Sequence, residues 1–184
     1  VTNDPTFFLE NMIEPQDIRG VGFELTSRCS LACPYCTRTK QRGTGLYYKG
    51  DLPLESISES LEGYEWERIN DCNTYGDSIF YPQYHEFLDV LKNNIVGRYE
   101  LSTAATGKGK RWWDKTIEKF LDIQDRGTDV ALVFGIDELE DMPKLNRVGQ
   151  DSDEIFHAMI SAKEAGIKYV IWQFIPFSHN EHRI

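Results

Sequence analysis

The sequence predicts an α/β fold on a parallel sheet, and three observations carry that prediction. Strand-like and helix-like segments alternate along the chain, as they do in βα units. The run Asp129-Val-Ala-Leu-Val-Phe-Gly-Ile136 is apolar almost throughout, the pattern of a strand buried on both faces. The helices between strands are short enough to serve as right-handed crossovers.

Taken in order, residues 1–19 form an N-terminal extension and residues 20–184 the core domain. Val21–Thr26 reads as the first strand, with the cysteine-rich stretch directly after it. Residues 40–53 hold three glycines and read as a loop. A helix follows from Leu54 to Glu62. Trp66–Cys72 is the second strand, with Cys72 a buried apolar residue near its end. The next helix spans Gln83–Asn93, because Tyr84, Phe87, Leu88 and Leu91 repeat at the spacing of one buried face. Arg98–Thr103 is the third strand, and Trp112, Trp113, Thr116, Ile117, Phe120 and Leu121 mark another amphipathic helix. After the fourth strand, Asp151 or Ser152 caps a helix bearing Ile155, Phe156, Met159 and Ile160. Glu154 fits a capping box and Gly166 a helix stop. Tyr169–Ile175 is the fifth strand.

Composition narrows the function classes. The chain has 184 residues, 40% of them hydrophobic, enough for one domain with a sizeable core. A net charge of −10 argues against nucleic acid as the main partner, since phosphate neutralisation dominates that affinity. No apolar run approaches the ~20 residues that cross a membrane. The first nine residues lack the basic start and apolar core of a secretory signal. A cytoplasmic location is therefore expected, where clustered cysteines bind metal or react rather than pair.

Parallel α/β folds place their chemistry at the carboxyl ends of strands. Five loops leave those ends here: the cysteine stretch, Tyr75-Gly76-Asp77, Ala104 to Lys110, Asp137-Glu138, and His179 to His182. They predict one composite site. Cys29, Cys33 and Cys36 stand four and three residues apart. A loop so spaced can wrap one side of an iron–sulfur cube and supply three thiolates, leaving the fourth iron open. Pro34 restrains the turn, and Tyr35 can shield the group from water. Zinc is the other reading, with Cys72 or a histidine as fourth ligand, although structural zinc sites usually pair two two-cysteine arms.

The stretch FELTSRCSLACPYCTRTK, followed in order by NTYGDSIFYP, FGIDELEDMPKLNR and WQFIPFSHNEH, resembles the radical S-adenosylmethionine (SAM) enzymes. Within them it is similar to the peptide-modifying, SPASM/twitch-related branch, over roughly residues 20–184. The resemblance implies a partial (β/α) TIM-like barrel of about five to six parallel strands. Five are legible, so the last strand and any C-terminal domain are expected to be missing or to lie beyond this chain. It implies a [4Fe–4S] cluster on Cys29, Cys33 and Cys36, and SAM on the open iron. An electron donor such as a flavodoxin or ferredoxin would reduce the cluster. SAM cleavage would then give a 5′-deoxyadenosyl radical that abstracts hydrogen from a substrate, a peptide by analogy with the branch.

The resemblance also assigns SAM contacts. Tyr75, Gly76 and Asp77 fall at the family's glycine-rich motif, whose carbonyls accept from the SAM ammonium. Thr103 opens a segment in which Ala104 and Ala105 replace the family's Asn and Gly. Asp137 falls where polar residues meet the ribose, and a carboxylate can accept from both hydroxyls of a diol. Glu138 follows it in place of the usual Gly. Arg147 matches an arginine that pairs with the SAM carboxylate. Gln173 lies on the fifth strand, facing the barrel or the helices according to register. No cysteine follows Cys72, so no auxiliary cluster is expected within this chain. The two alanines and the missing strand leave room for a degenerate module that binds cluster or SAM without turnover, and zinc leaves room for a structural one. Lys108, Lys110 and Arg111 read as a solvated loop or as contacts to an anionic substrate, Arg38 and Arg42 are open to the same two readings, and Trp112-Trp113 reads as core and rim.

Overall fold

The computed structural model describes residues 17–47, 49–71, 73–139 and 145–183. Its five strands form one sheet in the order β1-β2-β3-β4-β5, every neighbouring pair parallel. They are β1 (Gly20–Phe23), β2 (Trp66–Asp71), β3 (Ile95–Thr103), β4 (Asp129–Gly135) and β5 (Tyr169–Gln173). Between them run α1 (Thr37–Gln41), α2 (Leu54–Leu61), α3 (Tyr84–Asn94), α4 (Lys110–Gln124) and α5 (Ser152–Ala165). Spatial order equal to chain order means that each crossover steps one place in the same direction. That is the winding of a (β/α) barrel rather than of a doubly wound sheet. β1 and β5 remain unjoined edges, so the barrel is partial.

Alternation along each strand divides the sheet into two faces. Phe23, Ile69, Tyr99, Leu101, Leu132 and Phe134 face the helices and are buried with Phe87, Leu91, Trp113 and Phe120. Each such side chain contributes roughly 2–3 kcal/mol of burial before chain entropy is charged against it. Gly135 pairs with Gln173, one step out of phase with buried Phe134. Gln173 therefore faces the barrel lumen, which settles its register.

The element ends differ from expectation for local reasons. β1 stops at Phe23, because Thr26 leaves the sheet for an isolated antiparallel bridge to Asp51, and Leu52 N donates to Leu25 O at 2.9 Å. β3 starts three residues early, at Ile95, where the last turn of α3 passes straight into strand. β5 stops at Gln173, since Ile175 N donates to the Asp137 carboxylate (3.0 Å). Helix α1 was not expected; Cys36 is its N-cap, and its last residues, Lys40 and Gln41, occupy the start of the predicted loop. At α5, Asp151 accepts from Glu154 N (3.1 Å) and Gly166 takes φ 97, as the sequence suggests. The reciprocal half of the capping box is not made, because the Glu154 carboxylate is engaged elsewhere. The extension up to residue 16, Cys72, and residues 140–144 of the fourth-strand loop lie outside the described residues.

One polar chain crosses the core. Tyr99 Oη donates to Asp71 Oδ2 (2.8 Å), and the Tyr84 and Tyr99 hydroxyls lie 2.8 Å apart. Burial pushes the Asp71 carboxyl up to about 7, against the hydrogen bond from Tyr99. Asp71 is the last residue of β2 and leads into the loop that builds the site.

Candidate active site

At the carboxyl ends of the strands lies an open cleft of about 430 Å³. Nine predicted residues line it: Cys29, Cys33, Cys36, Tyr35, Gly76, Asp77, Thr103, Arg147 and Gln173. Asn73, Ser102, Ala104, Gly135 and Asn146 complete its polar and small lining. Two predicted residues lie apart from it, Tyr75 and Asp137.

The cysteine loop is held from three sides. Asp77 N donates to Arg28 O (2.8 Å), Ala32 N to Val148 O (2.9 Å), and Ser30 Oγ to Thr106 O (2.8 Å). The first contact requires Gly76, because a Cβ there would sit 1.9 Å from Thr26 O. Cys36 N closes a turn on Cys33 O, and Lys40 N then bonds Cys36 O as α1 begins. Arg38, 6% exposed, donates its guanidinium to Leu31 O. Cys29 Sγ accepts from Leu31 N at 3.4 Å. Tyr35 stands at the mouth, 73% exposed, with the Lys40 ammonium 5.6 Å from its ring centre.

The three thiols are half-buried and unpaired. Burial, and then the charge of Asp77, push the Cys29 thiol up to about 11. Burial also raises Cys33, opposed chiefly by Arg147. Free thiolates are thus disfavoured here, and a cationic iron centre reverses that preference by taking the proton's place. Three soft donors on one wall, with Arg38 and Arg147 beside them, fit an iron–sulfur group with a negative thiolate shell. Among the described residues no three or more His, Cys, Asp or Glu are gathered to hold a single ion.

Carboxylates, half-buried at Glu24 and buried at the others, shape the rest of the site by gripping backbone amides. Glu24 accepts from Thr74 N, Tyr75 N and Gly76 N at 2.8, 3.0 and 3.2 Å. In a trans peptide the preceding carbonyl points the opposite way. The carbonyls of Asn73, Thr74 and Tyr75 are therefore directed away from Glu24. The Tyr75 ring packs 6.1 Å from that of Tyr47 and lines a separate small pocket with Glu24 and Thr26. Asn73, at φ 52, accepts from Ser78 N (2.9 Å) and donates to Ser102 O, joining the turn to β3. Asp77 accepts from Thr103 Oγ1 on both oxygens (2.9 Å) and from Ala104 N (3.0 Å). Both predicted side chains are thus committed to each other, and burial raises the Asp77 carboxyl.

Glu154 accepts from Gly107, Lys108 and Gly109 N at 2.7, 2.9 and 2.6 Å, fixing the loop after β3. Lys108 rests over the rings of Trp112 and Phe80, at 4.7 and 5.4 Å. Glu138, fully buried, accepts from Asn146 N (2.6 Å), Arg147 N (3.2 Å) and His179 Nε2 (3.1 Å). Asp137, also fully buried, accepts from Arg147 Nε and Asn146 Nδ2, both at 2.7 Å. Ile175 N is a third donor, so both oxygens of this fully buried carboxylate are engaged within the protein. Arg147 sits over Gly135, where a Cβ would come within 2.5 Å of its Nη2. Sequence reasoning missed the roles of Glu24, Asn73, Glu138 and Glu154. Glu24, Asn73 and Glu154 reach backbone 29 or more residues away, and Glu138 bends its own loop back on itself, so no local motif announces them.

Fold and site together give a partial parallel barrel with three cysteines in the cleft at the carboxyl ends of its strands. The chain belongs to the radical SAM superfamily, whose model matches residues 23–183. The family's cofactors are a [4Fe–4S] cluster and SAM. Its backbone is similar to "Native anSMEcpe with bound AdoMet" (TM-score 0.56, 14% identity), covering 84% of this chain and 42% of that one. It is also similar to BtrN in complex with AdoMet and 2-DOIA (TM-score 0.53, 12% identity; 85% and 56% covered). A third likeness is to methylornithine synthase, PylB (TM-score 0.53, 14% identity; 84% and 43% covered). The chain spans about half the length of these structures. No curated protein matches it. Among the described residues no helix is long and apolar enough to cross a membrane.

Proposed function

We propose that this chain is the cluster- and SAM-binding core of a radical SAM enzyme. The observation that carries the reading is that Cys29, Cys33 and Cys36 line the same cleft as Gly76, Arg147 and Gln173. The three thiolates would hold the cluster. When bound, it supplies the electron that splits SAM into methionine and the 5′-deoxyadenosyl radical, which takes hydrogen from substrate. The carbonyls turned away from Glu24 suit the SAM ammonium, because that carboxylate has already taken the neighbouring amides. Arg147 suits the SAM carboxylate; Asp137 fixes its Nε and leaves its terminal nitrogens to the cleft side. Asp137 itself supports the site through Arg147 instead of meeting the ribose. Gln173 and Ser102 offer polar contacts on the lumen face.

The proposed substrate is a peptide or protein side chain, and the electron donor a flavodoxin or ferredoxin. Both go with a reducing, cytoplasmic setting. Below the cleft, Arg68, Asn70, Arg98 and Glu100 line a further recess, a polar floor that suits a polar substrate.

Anaerobic reconstitution should give about four irons per chain, the content of one cubane. SAM should change the electron paramagnetic resonance signal of the reduced protein. 5′-Deoxyadenosine should form above the level of a Cys29/Cys33/Cys36→Ala variant. A chain that takes up no iron refutes the reading. Iron and SAM binding with no 5′-deoxyadenosine would make it a binding module.

A further inference from the structure

Charge is distributed unevenly along this chain. Residues 25–50 hold five of its 20 basic residues (Arg28, Arg38, Lys40, Arg42 and Lys49) and none of its 30 acidic ones. A local charge of +5 thus surrounds the cysteines of a protein whose net charge is −10.

The fold gathers this stretch around a second recess, of about 650 Å³. Arg28, Arg38, Arg42, Lys49 and Tyr47 line it together with Cys29. Cys29 lines both this recess and the cleft, so it forms part of the wall between them. The outer side is braced: Ser27 N donates to Gly50 O (3.0 Å), Gly50 N to Ser27 Oγ (2.9 Å), and Tyr47 Oη to Ser27 O (2.7 Å). Arg28 is tied to Asp51, and Arg38 to Leu31 O. Arg42 and Lys49 are exposed, and neither forms an ion pair among the described residues.

We propose that this recess is the docking port for an acidic one-electron carrier protein, of the flavodoxin or ferredoxin kind, whose electron enters past Cys29. The proposal rests on the cluster reading above. One electron leaves the carrier's reduced centre and the group held by the three thiolates gains it; no bond forms or breaks. Charge complementarity selects the partner. An acidic carrier is repelled by the acidic remainder of the surface and drawn to residues 25–50, the longest stretch without carboxylates. The two-sided wall gives the arrangement its purpose. Reduction proceeds from the basic side while SAM and substrate occupy the cleft, so the cleft need not open to admit the donor.

The test pairs R42E/K49E, which removes no contact that holds the fold, with R111E/K115E, an equal charge reversal on exposed positions of α4. Calorimetry with an acidic flavodoxin and an acidic ferredoxin should show binding that weakens steeply with salt. It should fall about tenfold or more in R42E/K49E and stay unchanged in R111E/K115E. Cluster reduction by flavodoxin hydroquinone should slow by a similar factor in R42E/K49E. Reduction by photoreduced 5-deazariboflavin, which is small and uncharged, should keep its wild-type rate. The proposal is overturned if R42E/K49E binds both carriers as tightly as wild type, or if both charge reversals weaken binding equally. It is also overturned if inorganic phosphate saturates the recess and neither carrier binds. A wrong cluster reading shows differently, as a chain that takes up no iron, and the calorimetric arm is read on either form.

Discussion

Replacing Asp71 by asparagine should change how stability depends on pH. Asp71 ends β2 inside the core, where Tyr99 is its hydroxyl donor and burial pushes its carboxyl from 3.8 up to about 7. At about 1.4 kcal/mol per pH unit, that gap corresponds to about 4 kcal/mol. A raised carboxyl keeps its proton in the folded chain after the unfolded chain has lost it. Its contribution is therefore fully present below pH 3.8 and is lost as pH rises to about 7. Of that loss, about 3 kcal/mol falls between pH 5 and pH 8. In D71N the amide oxygen still accepts from Tyr99, and the titration is gone. Any packing cost of the substitution is the same at both pH values, and every other titrating group is common to both proteins. Urea unfolding at pH 5 and pH 8 should thus show D71N gaining about 3 kcal/mol on wild type across the interval. An unchanged difference would mean that Asp71 titrates normally and that the buried chain through Tyr99 and Tyr84 has been misread.

Gly76→Ala should lower stability by about 3 kcal/mol and abolish iron uptake, since the Cβ must displace the Thr26 carbonyl that seats the cysteine loop; thermal melts and iron content check both. Glu154→Gln should cost about 2 kcal/mol, because one neutral oxygen replaces a carboxylate that holds three amides, and hydrogen exchange should rise at Gly107–Gly109. Arg147→Met should cost about 3 kcal/mol by leaving Asp137 buried without its cation, and calorimetry should show SAM affinity falling with it. Ala105→Gly should be near neutral, because Ala105 holds φ 48 and relief of that strain offsets the lost methyl. The same change at Ala158, inside α5, should cost about 1–2 kcal/mol, and parallel denaturation curves compare the two.

Much of this architecture was legible because it rests on local pattern. The alternation of segments gave five strands in barrel order, and the i, i+3, i+4, i+7 repeat from Tyr84 located α3 to within a residue. The spacing of Cys29, Cys33 and Cys36 pointed to one loop, and that loop lines the cleft. The illegible part rests on distance. Nothing near Glu24 in sequence reveals that its carboxylate grips amides some 50 residues away. Nothing beside Asp137 reveals that Arg147 and Ile175 donate to its two oxygens. The face of Gln173 required the β4–β5 register, which period-two patterning cannot supply for a strand exposed on both sides.

The carboxylates also explain how the site keeps its shape where its sequence departs from the family. Glu24, Glu138 and Glu154 each bind consecutive backbone amides of a strand-end loop, and Asp77 binds Ala104 N. A grip on main chain is indifferent to the side chain above it. Alanine at 104 and 105 therefore leaves the loop where Asp77 and Thr103 place it. Ala105 even holds a backbone angle that favours the glycine it stands in for. What alanine gives up at 104 is a side chain in the cleft, not the cleft itself. That separates two quantities usually lost together: the frame that carries the thiols, and the affinity with which SAM is held inside it. If turnover is weak, the deficit should appear in SAM binding, with iron uptake and folding intact.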